Sequence, residues 1–197
     1  MIEVKNLKFA YDSKVIFEDI SFKLDAAEIL FITGDNGSGK TTLLKNLARE
    51  LKPSAGKIDY CNNFFYLPAE GNGLFLDLPA LPQMEFWANL YQRDSQSVKE
   101  VLYGWGLKDP YLLEKIPVKK FSTGMKRKLA LARGSLSRAD VFILDEPCNG
   151  LDEKSTAYFR NWCRQENSER RAIFIVVSHD KNLLVDFKYQ TLKIGKN

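Results

Sequence analysis

The eight residues Gly34-Asp-Asn-Gly-Ser-Gly-Lys-Thr41 have the types and spacing needed to hold a polyphosphate. They fit the pattern G-x-x-x-x-G-K-[ST]. Gly34, Gly37 and Gly39 let the backbone fold into a nest whose N–H groups point at phosphate oxygens. A helix that begins at this loop presents its positive end to the same anion. Lys40 brings a point charge to the β and γ phosphates, and the Thr41 hydroxyl is an oxygen ligand for Mg²⁺. The competing reading is a chance glycine turn ahead of a helix. The loop's position between an expected strand and an expected helix argues against that.

A second group is Val141-Phe-Ile-Leu-Asp145-Glu146-Pro147. An apolar strand delivers two adjacent carboxylates at its C-terminal end, where α/β sites form. Asp145 would hold Mg²⁺ through water, and Glu146 would take a proton from an attacking water. Alone, the pair reads equally well as a strand ending in a solvated acidic turn; the phosphate loop upstream tips the balance. A third group is Phe121-Ser-Thr-Gly-Met125, followed by a basic run from Lys126 to Arg133. Ser122 has the type of a helix N-cap, and a serine hydroxyl beside glycine backbone at a helix start can take an anion. Alone it reads as a capped amphipathic helix with a solvated basic face. The run lacks the interleaved aromatics of a nucleic-acid stacking platform, so no nucleic-acid partner is expected. Finally, Ser178-His179-Asp180 follows the apolar run 173–177, and His179 is the chain's single histidine. A lone histidine is usually structural; this one emerges where a γ-phosphate would lie. Asn149-Gly-Leu-Asp152 reads as a turn and a helix cap.

These groups need a scaffold. Strands are expected at 2–9, 15–17, 20–24, 29–33, 57–60, 64–67, 141–144, 173–177 and 191–194. Helices are expected at 41–51 and 153–165, and 79–138 reads as helical with breaks at Gly104, Gly106, Pro110 and Pro117. Strands around a helix, a helical insert, then alternating strand and helix make an α/β fold with an inserted helical lobe.

The 197 residues suit one domain with a grafted lobe, and a net charge of +4 is ordinary for a soluble enzyme. No apolar run approaches the length of a bilayer span, and residues 1–8 alternate apolar and charged types rather than forming a signal-peptide core. The chain is therefore expected to stay in the cytoplasm, with any membrane role supplied by a partner. Cys61, Cys148 and Cys163 are an odd, widely spaced set that suits a reducing compartment and offers no metal spacing.

In this order, the phosphate loop, 121–125, 141–146, 149–152 and His179 resemble the ATP-binding cassette (ABC) ATPase family over nearly the whole chain. The resemblance implies a P-loop NTPase core with an N-terminal antiparallel β subdomain and an inserted α-helical subdomain. Residues 1–197 would form one ABC ATPase domain, with the core at about 1–74 and 139–197 and the helical subdomain at about 75–138. It implies a homodimer of cassettes paired head to tail. ATP would be bound by Tyr11, Gly34, Asp35, Asn36, Gly37, Ser38, Gly39, Lys40, Thr41 and Thr42 of one copy and by Ser122 and Gly124 of the other. Tyr11 would stack on adenine, though it also reads as an ordinary strand-end tyrosine. Glu146 would be the base, His179 would contact the γ-phosphate, and Asp152 would cross the dimer interface. Hydrolysis would drive a separate polytopic membrane permease, placing the chain peripherally at the inner face of the membrane. The segment 71–86, with Leu74, Phe75, Leu76, Leu78, Leu81 and Phe86, is the expected docking surface, although some of these residues must be lobe core.

The chain departs from the family in places. Phe121, Thr123 and Met125 replace signature residues commonly Leu, Gly and Gln. Cys148 stands where Thr or Ser is usual, and Ala27 where Gly is common. The family's Mg²⁺-binding glutamine after the strand at 64–67 is absent, and Glu70 is the expected stand-in; Gln83 lies too far along the chain. Two alternatives remain: a soluble ABC ATPase without a membrane partner, and a non-hydrolysing regulatory cassette.

Overall fold

The computed structural model describes residues 1–60, 63–70, 73–180 and 182–195. Cys61 and the first two residues of the expected docking segment, Gly71 and Asn72, lie outside them. The described chain divides into two compact units. One contains Met1–Tyr66, Ala139–Glu146 and Arg164–Asn197; the other contains Leu67–Arg138 and Pro147–Cys163.

The first unit carries two sheets. An antiparallel sheet has the order β2-β1-β4, from β1 (Ile2–Tyr11), β2 (Lys14–Leu24) and β4 (Ala55–Tyr60). The expected break between residues 17 and 20 is absent, and β2 runs through it. Register shifts along the β1–β2 pairing, and Asp19 at φ 58, absorb the irregularity without ending the strand. The second sheet has the order β5-β6-β7-β3-β8, from β3 (Ile29–Thr33), β5 (Phe64–Leu67), β6 (Val141–Asp145), β7 (Ile173–Val177) and β8 (Gln190–Lys193). Strands β6 and β7, β7 and β3, and β3 and β8 pair in parallel. Every residue of β6 and β7 is buried, as expected for strands covered on both faces.

Helix α1 (Lys40–Leu47) follows the phosphate loop and packs Leu43, Leu44 and Leu47 into the core formed with Leu30, Ile32, Ile143, Ile175 and Val177. It ends earlier than its composition suggests. Arg49 adopts φ 58, and the Glu50 N–H donates to the Lys45 carbonyl at 2.9 Å, closing the helix in a left-handed turn.

The second unit is helical: α2 (Ala80–Leu90), α3 (Ser95–Gly104), α4 (Pro110–Lys115), a 3₁₀ turn (Val118–Lys120), α5 (Thr123–Ser137) and the first part of α6 (Glu153–Glu169). Side chains cap several of these helices. Asp94 accepts from the Ser97 N–H, Asp109 from Leu112, and Ser122 from Met125 at 3.2 Å. Each of these side chains satisfies an N–H that the first turn of its helix would otherwise leave unpaired. No described helix is long and apolar enough to cross a membrane.

Candidate functional site

The phosphate loop joins the buried strand β3 to α1. Gly34, Gly37 and Gly39 have φ values of 149°, 77° and 101°, a region that side chains rarely adopt. A Cβ on Gly39 would stand 2.6 Å from Ile16 Cγ2, and one on Gly34 would collide with the Ile194 carbonyl. The loop is therefore wedged between β2 and the end of β8. Helix α1 begins at Gly39 with no side-chain cap, leaving its first N–H groups open toward the loop. Lys40 Nζ donates to the Gly34 and Asp35 carbonyls, each at 2.8 Å, so the cation sits over the concave loop. Asp35, Asn36 and Gly37 are exposed at its tip, Ser38 and Thr42 are half-buried, and Thr41 is exposed in the first turn of the helix.

The acidic strand arrives beside this loop. Asp145 ends β6 and is buried, and its Oδ2 accepts from Thr41 Oγ1 at 2.7 Å across 104 residues of sequence. Glu146 turns away in a left-handed conformation at φ 49, held by its own N–H donating to the Val177 carbonyl at 2.9 Å. The turn aims its carboxylate at the segment after β7. There the His179 N–H donates to Glu146 Oε2 at 3.3 Å, and His179 Nε2 lies 3.6 Å from Oε1. The His179 side chain is 65% exposed and that of Glu146 19%. Five residues expected to act together, Lys40, Thr41, Asp145, Glu146 and His179, are thus gathered at one edge of the parallel sheet. Tyr66 on β5 lies near Asp145: burial first, then the charges of Asp145 and Glu50, push its phenol pKa well up.

Tyr11 closes β1 opposite Lys14, 49% exposed, with its ring edge-on to Phe9 at 4.8 Å. From Lys14 the strand β2 runs along a cleft of about 760 Å³, lined by residues 14–20 and by Lys193, Ile194 and Gly195. Ile16 and Ile194 line this cleft and also press on the phosphate loop. Neither stands out in sequence, because a close approach between backbone and side chain leaves no compositional mark.

The remaining expected residues belong to the second unit. Ser122 is exposed at the start of α5, and Gly124 sits in its first turn. A Cβ on Gly124 would lie 2.6 Å from the Gly150 carbonyl oxygen, so only glycine admits this approach of loop 149–152. Asp152 caps α6, its Oδ1 accepting from the Ser155 N–H and hydroxyl at 2.8 Å each. Its Oδ2 accepts from Lys128 Nζ at 2.6 Å. Glu70 is exposed in a bend after β5.

Gln83 is buried, with Oε1 accepting from the Phe75 N–H and Nε2 donating to the carbonyls of Phe75, Leu78 and Pro79. It is the staple that folds the segment before α2. Leu81 of the expected docking residues is core, Leu74 is half-buried, and Phe75, Leu76, Leu78 and Phe86 are exposed. Phe75 stacks on Trp87 at 5.9 Å, and the Arg133 guanidinium covers the Trp87 ring at 5.1 Å.

Known proteins resemble this chain in sequence and in fold. The family described as "ABC transporter" matches residues 17–149. The ergothioneine transport ATP-binding protein EgtV of Helicobacter pylori (strain G27) is 29% identical, covering 98% of this chain and 97% of that protein. The cytochrome c biogenesis ATP-binding export protein CcmA of Escherichia coli O157:H7 is 32% identical, covering 98% of this chain and 96% of that protein. Among solved structures, the dimeric post-hydrolysis state of an ATP-binding cassette bound to ADP and Pi superposes with a TM-score of 0.86 at 19% identity. It covers 99% of this chain and 94% of that one. With its phosphate loop, acidic strand and histidine assembled on this fold, the chain belongs to the ABC transporter family as an ATP-binding ABC-type ATPase.

Proposed function

We propose that the chain is the ATP-hydrolysing subunit of a transporter, working as a head-to-tail pair of copies and driving a separate polytopic membrane subunit. The observation that carries this reading is the meeting of Thr41, Asp145, Glu146 and His179 behind an open phosphate loop. The polyphosphate lies in the loop, drawn by the N–H groups of residues 34–42 and by Lys40, which leaves the Gly34 and Asp35 carbonyls for phosphate oxygens. Adenine stacks on the exposed face of Tyr11, and the cleft along β2 takes the base or ribose.

Thr41 and Asp145 fit Mg²⁺. They are two hard oxygen donors already at hydrogen-bond distance, one of them a buried carboxylate, and this ion favours such ligands. Glu70 is assigned as a third oxygen ligand. When bound, the ion supplies charge neutralisation at the phosphate oxygens. Glu146 accepts the proton of the attacking water, while the backbone N–H of His179 holds the other carboxylate oxygen in place. The His179 ring, exposed beside Glu146, reaches the γ-phosphate.

Ser122 and Gly124 of the second copy complete each site, and Asp152 lies at the interface between copies. For domain organisation we assign the core to about 1–74 and 139–197 and the helical subdomain to about 75–138. The membrane subunit docks on the exposed side chains of Phe75, Leu76, Leu78 and Phe86, an apolar group larger than scattered surface residues explain. The chain then sits peripherally at the inner face of the membrane. The names of the relatives, a transport protein and an export protein, support a transport role.

The test is Glu146→Gln. It is expected to keep ATP affinity, to slow hydrolysis roughly 10²–10⁴-fold, and to accumulate an ATP-bound dimer visible by light scattering. Hydrolysis at the parental rate means that Glu146 is not the base.

A further inference from the structure

Gly124 and Lys128 stand four residues apart on α5, one turn apart on the same face. The loop 149–152 touches both. Its Gly150 carbonyl oxygen lies 2.6 Å from where a Cβ on Gly124 would stand, and its Asp152 carboxylate accepts from Lys128 Nζ at 2.6 Å. Gly150 itself adopts φ 78, and Thr123 Cγ2 stands 3.8 Å from the place of its missing Cβ. The Lys128 side chain is 16% exposed and that of Asp152 57%, so the pair lies at the surface with its lysine largely covered. The Asp152 carboxyl is held well below the usual carboxylate range, first by the Lys128 hydrogen bond and then by the two bonds from Ser155. Both of its oxygens are therefore engaged within one copy of the chain.

We propose that Lys128 is a positioning residue that ties loop 149–152 along α5, so that Ser122, Gly124 and Asp152 meet a second copy as one preformed surface. The proposal rests on the shared-site reading above. A loop already fixed before the copies meet loses less freedom at assembly, which is how preorganisation strengthens association. Lys128 acts through Asp152 and the loop, not on the nucleotide or the reacting atoms.

The experiment uses the full chain carrying Glu146→Gln, with Lys128→Met, Lys128→Gln and Lys128→Arg added separately. Methionine and glutamine keep much of the side-chain stem and remove the charge; arginine restores a cation. Hydrogen exchange of the peptide covering 147–156 is followed in the nucleotide-free monomer. There Leu151 N–H donates to Cys148 and Ser155 N–H to Asp152, so these amides report the tether. Calorimetric ATP affinity and ATP-dependent dimerisation are measured beside it, with thermal unfolding to register any global loss of fold.

The neutral variants are expected to exchange the loop amides about tenfold faster and to dimerise about tenfold more weakly, while the monomer binds ATP as the parent does. The arginine variant is expected to match the parent in both. Parental exchange and dimerisation in K128M and K128Q overturn the proposal, as does an arginine variant that behaves like them. Failure of the Glu146→Gln parent to dimerise is failure of the shared-site reading and removes the presentation role with it. A dimerising parent matched by its neutral variants overturns the tether alone.

Discussion

Gly124→Ala places a methyl group against a specific atom. The new Cβ would lie 2.6 Å from the Gly150 carbonyl oxygen, about 0.8 Å inside the 3.4 Å at which ordinary contact begins. Two effects oppose each other. Alanine in a helix is worth up to about 1 kcal/mol over glycine, which would stabilise α5. Overpacking of about this size costs roughly 1–3 kcal/mol unless a neighbour gives way. Here the neighbour is backbone, and the loop behind it is held by the Lys128–Asp152 pair and the Ser155 cap, so it cannot retreat freely. The expected balance is a net loss of about 1 kcal/mol, seen as a fall of roughly 2–4 °C in Tm for a chain of this size. The larger consequence is functional. A loop displaced by most of an ångström misplaces Asp152, and shifts on that scale can cost about 10²-fold in rate. Thermal unfolding and steady-state ATPase activity over a range of protein concentrations give both numbers. A Gly124→Ala protein about 1 kcal/mol more stable than the parent, with parental activity, would mean that the loop is slack and that Gly124 is not needed for its approach.

Three further outcomes are expected. Lys40→Ala loses tight ATP binding in a calorimetric titration, since the loop's own cation is gone; unchanged affinity would remove Lys40 from the phosphate site. Glu70→Gln needs more Mg²⁺ for half-maximal activity while keeping turnover, and Glu70→Ala needs more still. Superimposable Mg²⁺ curves for parent and both variants would exclude Glu70 as a ligand. Ala27 adopts φ 70, with its N–H donating to the Arg171 carbonyl, so Ala27→Gly relieves left-handed strain. Against the added freedom of the unfolded glycine chain, a net gain of about 0.5 kcal/mol is expected as a small rise in Tm; a fall would mean that the strain is absent.

The Ala27 case shows what sequence alone could read. Glycine is common at that position in the family, and the positive φ supplies the physical reason, but the residue itself gives no sign of strain. Gln83 is similar. Its distance along the chain sets it apart from the expected metal ligand, yet its role as a fourfold hydrogen-bonding staple depends on Phe75, Leu78 and Pro79 folding back around it. Asp152 was legible as a helix cap from its place before α6. Its ion pair with Lys128, 24 residues earlier, was not, because the sequence shows Lys128 only as one member of a basic run.

The phosphate loop, the acidic end of β6, the helical insert and their order are all readable along the chain. Each is written in local terms: glycine spacing that permits a nest, a run of apolar residues that must be buried, and breakers between helices. Which side chains meet depends on how the strands are ordered and the segments packed. Thr41 and Asp145 are 104 residues apart and bond only because β3 and β6 both flank β7 in one parallel sheet. Glu146 faces His179 because the chain turns left-handed after β6 and is pinned to the end of β7. Loop 149–152 lies along α5 because Gly124 leaves room for a carbonyl and Lys128 supplies a charge one turn on. Composition and spacing fix what a segment can do locally, whereas contacts between distant segments depend on strand order and close backbone approach.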